Sequence, residues 1–231
     1  MSVDERMVHD IVQKVMANMQ ISGSVSGMHG VFKDMNDAIN ASIEAQKKVC
    51  TMTLDQREQI ISLIRKKTHE NAEILANMGV NETGMGNVGD KILKHHLTAD
   101  KVPGTEDIST IAWSGDRGLT LVEMGPFGVI GAITPATNPS ETVICNCIGM
   151  LAGGNTVVFN PHPNAKKTTI YTINMINEAS IEAGGPDNIA VTVEAPTLDT
   201  SAIMMKHPSI HLLVATGGPG VVTAVLSSGK R

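Results

Sequence analysis

Aromatic side chains are almost missing from this chain: three Phe, one Tyr and one Trp in 231 residues. Any core must therefore be built from aliphatic side chains, and Met, Ile, Val and Ala are plentiful. A cationic excess is missing too. Eighteen Lys and Arg face 23 Asp and Glu, a net charge of −5, which argues against a general nucleic-acid surface but leaves room for a local phosphate site. Cysteine is scarce. Cys50, Cys145 and Cys147 form neither a spaced metal framework nor an even disulfide set, which suits a reducing, cytoplasmic setting. No apolar run approaches the ~18 residues of a membrane span. The first residues are acidic and lack the long apolar centre of a secretory signal. The length admits one large domain, or one domain with appendages.

What is present centres on residues 125 to 163. Val129 to Ile133 is a short apolar run between turn residues, the pattern of a buried parallel strand. Thr134 to Pro139 is polar with two prolines, hence a loop leaving the strand's carboxyl end. Ser140 and Glu141 can cap a helix reaching about Leu151, stopped by Gly153-Gly154. Thr156 to Phe159 is the next strand. Ligands of open α/β sheets bind where such loops emerge, so Thr134, Thr137 and Asn138 stand where chemistry is usually done.

In chain order, residues 3 to 19 carry Val3, Met7, Val8, Ile11, Val12, Val15, Met16 and Met19 at three- and four-residue steps, an amphipathic helix. The Gly/Ser-rich residues 20 to 30 read as a flexible linker. A stripe so apolar must bury against its own domain, a second copy, or a groove on another protein. Residues 34 to 50 and 54 to 79 follow as helices, the second with a charged face around Arg57, Glu58, Arg65, Lys66 and Lys67 that reads as solvated surface. Glu82 to Gly86 breaks the pattern as a turn, and Lys91 to His96 resumes a helix. His95 and His96 are adjacent, about 100° apart on a helix, with no acidic partner at ligand spacing, so no metal site is expected. Residues 103 to 118 read as irregular, and Leu119 to Met124 as a strand. Beyond Pro163 come a helix over 165 to 183, a strand over 189 to 193, a short helix over 200 to 206, a strand over 210 to 215 and a helix over 221 to 226. The alternation implies an α/β fold with a doubly wound parallel sheet and an N-terminal helical extension.

Three places could carry chemistry. Thr216-Gly217-Gly218-Pro219-Gly220 joins a strand to a helix, where small residues and a helix N-terminus suit a pyrophosphate; from spacing alone a tight structural turn serves equally. Asn138 could donate its amide to an oxyanion, or satisfy loop backbone beside Pro139. Cys145 and Cys147 lie in an apolar helix where burial would raise their thiol pKa values, so both are expected to pack rather than react. Cys50, at a helix end, reads as a buried or bystander thiol rather than a nucleophile.

Thr134-Pro135-Ala136-Thr137-Asn138-Pro139, Ala152-Gly-Gly-Asn-Thr-Val-Val158 and Asn160-Pro-His-Pro163 resemble the aldehyde dehydrogenase superfamily. The Thr-Asn-Pro form is similar to its CoA-acylating branch, the acetaldehyde and propionaldehyde dehydrogenases of bacterial microcompartments. That resemblance implies a Rossmann-like NAD-binding domain over 31 to 231, with a helical lead-in at 31 to 100 and an α/β core at 119 to 231. It implies that the catalytic domain and its cysteine lie beyond Arg231, so that the chain is cut short. By the same likeness Thr134, Pro135, Ala136 and Thr137 line the cofactor cleft and Asn138 is the oxyanion donor. Thr216, Gly217 and Gly218 meet the pyrophosphate, while Asn160 and His162 fall by the adenosine ribose. The superfamily commonly has lysine where Asn160 stands, which leaves NAD and NADP both open. The implied activity is NAD-dependent oxidation of a short aldehyde to acyl-CoA in a homo-oligomer when full length. Residues 3 to 19 resemble encapsulation peptides that bring enzymes to microcompartment shell or co-cargo proteins. The other class of reading is a non-catalytic nucleotide- or CoA-binding module, an assembly partner in such a compartment.

Overall fold

Residues 27–231 are described by the structure, a computed structural model; the helix expected over 3 to 19 and the start of its linker lie outside the described residues. In chain order the elements are β1 (Val31–Phe32), α1 (Met35–Val49), α2 (Leu54–Thr83), α3 (Val88–Lys101), β2 (Ile111–Gly115) and β3 (Gly118–Val122). There follow β4 (Val129–Thr134), α4 (Pro139–Ala152), β5 (Thr156–Pro161), α5 (Lys166–Glu182), β6 (Ala190–Val193), α6 (Leu198–Lys206), β7 (Ile210–Ala215) and α7 (Pro219–Leu226). Five strands form one parallel sheet in the order β1-β6-β5-β4-β7. The chain winds outward from β4 through β5 to β6, then crosses back to lay β7 on the other side of β4. That reversal is the switch point at which doubly wound sheets bind ligands.

Alternation along the strands divides the core in two. Val157 and Phe159 face Ile60 and Ile64 of α2, Ile144 and Ile148 of α4, and Ile173 and Ile176 of α5. Val158, Val191 and Val193 face the other way, onto Met35 and Ile39 of α1, Met204 of α6 and Val225 of α7. Both faces are thus covered, which is why β4 and β5 read as continuous apolar runs. Gly131 permits the close approach of β7, since a Cβ there would meet the Leu213 side chain at 2.7 Å.

Several expectations are corrected. Residues 103 to 118 are not wholly irregular: β2 pairs antiparallel with β3 as a hairpin outside the main sheet. Every residue of both strands is exposed, so no buried face imposes a readable alternation. The two-residue β1, at the far sheet edge beside β6, is too short to leave a periodic signal. The charged face of α2 is not all solvated. Arg65 donates through Nη1 to the Ala99 carbonyl at 2.7 Å and through Nη2 to Val102 at 2.9 Å, and Arg57 donates to the Ala152 carbonyl. Each guanidinium satisfies carbonyls left open at a helix C-terminus. Among the described residues no helix is long and apolar enough to cross a membrane.

Candidate functional site

A cleft of about 680 Å³ opens at the carboxyl ends of β4, β5 and β7. Its walls come from the loop after β4, from Asn160 to Pro163, from one side of α6 with its N-cap Thr197, and from Thr216 to Gly220 with α7. Each loop leaves a strand whose direction is set by parallel pairing, so three separate stretches of sequence meet there. Thr216 is tied in by its own backbone N–H, which donates to the Ile133 carbonyl at 3.0 Å, and His162 by its N–H to Thr134 at 3.1 Å.

The cleft is furnished for a polar ligand at one end. Helix α7 has Gly218 at its N-cap with no side-chain cap, and Pro219 in its first turn lacks an N–H. The Val221 and Val222 amides turn back to the Gly218 carbonyl at 3.0 and 3.3 Å, so the Gly218 and Gly220 amides are left for another acceptor. A Cβ on Gly218 would meet nothing within 4 Å, whereas one on Gly217 would touch Val221 at 3.5 Å. Gly218 therefore borders open space. The Thr134 hydroxyl is buried without a hydrogen-bond partner. Both ends of the Asn160 amide have a partner: its Oδ1 accepts from Thr200 Oγ1 at 2.7 Å and its Nδ2 donates one N–H to the Thr197 carbonyl at 3.4 Å. His162 accepts at Nδ1 from the Asn164 amide at 3.2 Å, which leaves Nε2 as the protonated nitrogen of the neutral ring.

Beside the loop after β4 lies a buried polar cluster. Ser140 and Glu141 do not cap α4; the N-cap position is Asn138, whose side chain makes no capping bond. Both instead turn inward to α3. Lys91 Nζ sits 3.3 Å from Glu141 Oε1 and donates to the Thr137 carbonyl at 2.9 Å. Lys94 Nζ donates to Asn138 Oδ1 at 3.1 Å. His95 lies 2.7 Å from the Lys91 carbonyl through Nδ1 and 2.8 Å from Ser140 Oγ through Nε2. A carbonyl only accepts, so Nδ1 carries the proton and Nε2 of the neutral ring accepts from Ser140. Burial holds the His95 pKa below its usual value, although the charge of Glu141 opposes this. The Ser–His pair looks like a nucleophile with its base, but Ser140 is only 1% exposed and stands outside the cleft, so no substrate reaches it.

The cysteines divide. Cys147 is buried and its thiol is pushed up to about 12 by burial. Cys145 lies on an exposed face rather than packed as expected, yet burial of its thiol raises that pKa as well. Cys50 is exposed and accepts from Gln46 Nε2 at 3.0 Å. Among the described residues no three His, Cys, Asp or Glu side chains are grouped to hold a metal ion.

The sequence matches the aldehyde dehydrogenase family over residues 17–231. The chain belongs to that family. It is 46% identical over 227 residues to an acetylating acetaldehyde dehydrogenase of Bilophila wadsworthia, covering 94% of this chain and 46% of that protein. Its fold is similar to a propionaldehyde dehydrogenase from the Clostridium phytofermentans fucose utilisation bacterial microcompartment. There the TM-score is 0.87 at 73% identity, over 88% of this chain and 47% of the other. A Rhodopseudomonas palustris propionaldehyde dehydrogenase with bound propionyl-CoA gives a TM-score of 0.86 at 48% identity, over 87% and 45%. This aldehyde dehydrogenase chain thus spans about half the length of the relatives it matches.

Every site residue expected from the sequence lines the one cleft: Thr134, Pro135, Ala136, Thr137 and Asn138, then Asn160 and His162, then Thr216, Gly217 and Gly218. The sequence reading missed Thr197, Leu198, Ser201 and Met205, which close the cleft from α6. It missed Lys91 and Lys94 as well, since nothing local in a helix predicts contact with a loop more than 40 residues on.

Proposed function

We propose that this chain forms the nicotinamide-dinucleotide half of a CoA-acylating aldehyde dehydrogenase, which oxidises a short aldehyde with NAD and passes the acyl group to CoA. The observation that carries this reading is that the uncapped start of α7, Thr134 and Asn138 converge on one cleft. These groups fit the cofactor. The free amides of Gly218 and Gly220 at the start of α7 would take the pyrophosphate, because helix N-termini favour anions. Thr134, Pro135, Ala136 and Thr137 would wall the channel, while Asn160 and His162 would stand at the ribose end. Bound NAD supplies the hydride acceptor. We propose NAD as the form bound, with tighter binding of NADP as the outcome that would correct this.

Asn138 would donate from Nδ2 to the oxyanion formed when a thiolate adds to the aldehyde carbon, an interaction worth about 10²–10³ in rate. The thiolate would come from a cysteine other than the three here, in a nucleophile-bearing half. The acyl-thioester left after oxidation then reacts with the CoA thiol, one thioester exchanging for another. Residues 3 to 19, tethered by residues 20 to 30, are proposed as an encapsulation helix that docks on a microcompartment shell or co-cargo protein. The microcompartment source of the 73%-identical relative supports this. The enzyme is proposed to work inside such a compartment as a homo-oligomer.

The test is calorimetric titration of NAD and NADP into wild type, Gly217→Val and Gly218→Val. Wild type should bind NAD more tightly than NADP. Gly218→Val, which sets a side chain in the open cleft, should weaken NAD at least about tenfold with the fold unchanged. Unaltered affinity in a folded Gly218→Val protein would reduce the loop to a turn and sink the reading.

A further inference from the structure

Asparagine is among the preferred residues at a helix N-cap, because its side-chain oxygen accepts from the first free amides. Asn138 occupies that position before α4 and makes no such bond. Its Oδ1 is turned instead to Lys94 Nζ, 3.1 Å away on α3. Three residues earlier on the same helix, Lys91 Nζ donates to the carbonyl of Thr137 at 2.9 Å, the peptide group that leads into Asn138. Two ammonium groups about one helical turn apart therefore hold the backbone before Asn138 and the side chain of Asn138 itself.

The chemistry of an ammonium makes this grip directional. Lysine has donors only, so it can engage the oxygen of a carboxamide but never its nitrogen. While Lys94 holds Oδ1, the two N–H donors of Nδ2 point elsewhere, and they have no partner among the described residues. Asn138 itself lines the cleft. A free asparagine would sample the flipped amide, which would present an oxygen to a developing oxyanion and repel it. We propose that Lys94 is a positioning residue that fixes the amide sense of Asn138, with Lys91 anchoring the backbone beneath it, so that the donor rather than the acceptor end is offered to the cleft.

The two lysines differ in what they contribute to the fold. Lys91 is 3% exposed and paired with Glu141, so its removal perturbs folding. Lys94 is exposed, and a single exposed bond adds little stability. Lys94 is therefore the informative position. This inference rests on the oxyanion role proposed for Asn138, but the orientation itself can be tested without turnover.

In the 231-residue chain, the side-chain amide of Asn138 is followed by ¹H–¹⁵N NMR in wild type, Lys94→Met and Lys94→Arg. Lys94→Met should move the Asn138 Nδ2 proton pair while the backbone spectrum stays in place, and Lys94→Arg, which keeps a donor, should stay near wild type. An unmoved pair in Lys94→Met would overturn the proposal. In enzyme carrying its nucleophile-bearing half, Lys94→Met should cut kcat about tenfold or more at unchanged NAD affinity, with Lys94→Arg partly restoring it. Added to Asn138→Ala it should cost nothing further, because a residue acting only through another shows no independent effect. Additive losses would also overturn the proposal. A wild-type enzyme that makes no acyl-CoA would refute the acylating reading instead, and the NMR result would still decide the orientation.

Discussion

The Lys91 ammonium and the Glu141 carboxylate meet 3.3 Å apart with side chains only 4% and 8% exposed, and they join α3 to α4 under the loop after β4. Removing one member of a buried pair strands the other charge, at a cost typically of about 3–5 kcal/mol, while replacing both by apolar groups is often far less harmful. Glu141→Leu should therefore shift the urea midpoint sharply downward, and adding Lys91→Met should recover much of that loss. A double variant that is worse than either single change would show that the pair supplies packing no hydrophobic substitute restores.

The sheet was legible because β4 and β5 are buried on both faces, which removes most reasons for polar residues there. The cleft was legible for a related reason: loops at strand ends carry the prolines and small residues that their geometry requires. Neither argument reaches Lys91 and Lys94, whose partners at Thr137, Asn138 and Glu141 are brought close only by helix packing. Nor does either reach β2, because a strand exposed along its whole length leaves no trace of a buried face, although its partner β3 was expected over Leu119 to Met124.

Glu82 offers a second structural test. Its carboxylate accepts from the Lys167 and Thr168 amides at 2.7 and 2.8 Å, and from Thr168 Oγ1 at 2.7 Å. An anion at the start of α5 also meets the positive end of the helix dipole. Glu82→Ala should cost about 1–2 kcal/mol, the usual value of a lost N-terminal cap. Glu82→Gln should lose less, since one oxygen still accepts. Thermal melts of the three proteins would check the order, and equal stability would mean water replaces the carboxylate at no cost.

His95 predicts how the fold responds to acid. Its pKa is lowered in the folded protein, chiefly by burial, so below the ordinary histidine range the unfolded chain takes up a proton that the folded chain refuses. Stability is then fully present above the unfolded pKa of about 6.5 and is lost as pH falls below it, by at most ~1.4 kcal/mol per pH unit for this one proton. His207, also lowered by burial, acts in the same direction. Urea titrations between pH 7 and 5 should show a shallower acid slope for His95→Gln than for wild type. An identical slope would place the acid sensitivity elsewhere, with His207→Gln as the next variant to measure.

The last prediction concerns the thiols. A nucleophilic cysteine needs its thiolate, and hence a pKa lowered by a nearby cation, a metal or a helix N-terminus. Cys147 is pushed the other way, to about 12, and Cys145 is raised as well. Neither lines the cleft where Asn138 stands. The 231-residue chain supplied with a short aldehyde, NAD and CoA should therefore produce no NADH, even at cofactor saturation. A thiol reagent at neutral pH should spare Cys147 until the protein unfolds. In enzyme carrying the nucleophile-bearing half, Asn138→Ala should lower turnover by about two orders of magnitude with NAD affinity little changed. NADH formation by the chain alone that disappears in Cys145→Ser or Cys147→Ser would make a helical cysteine the nucleophile, and Asn138 would lose the role assigned to it.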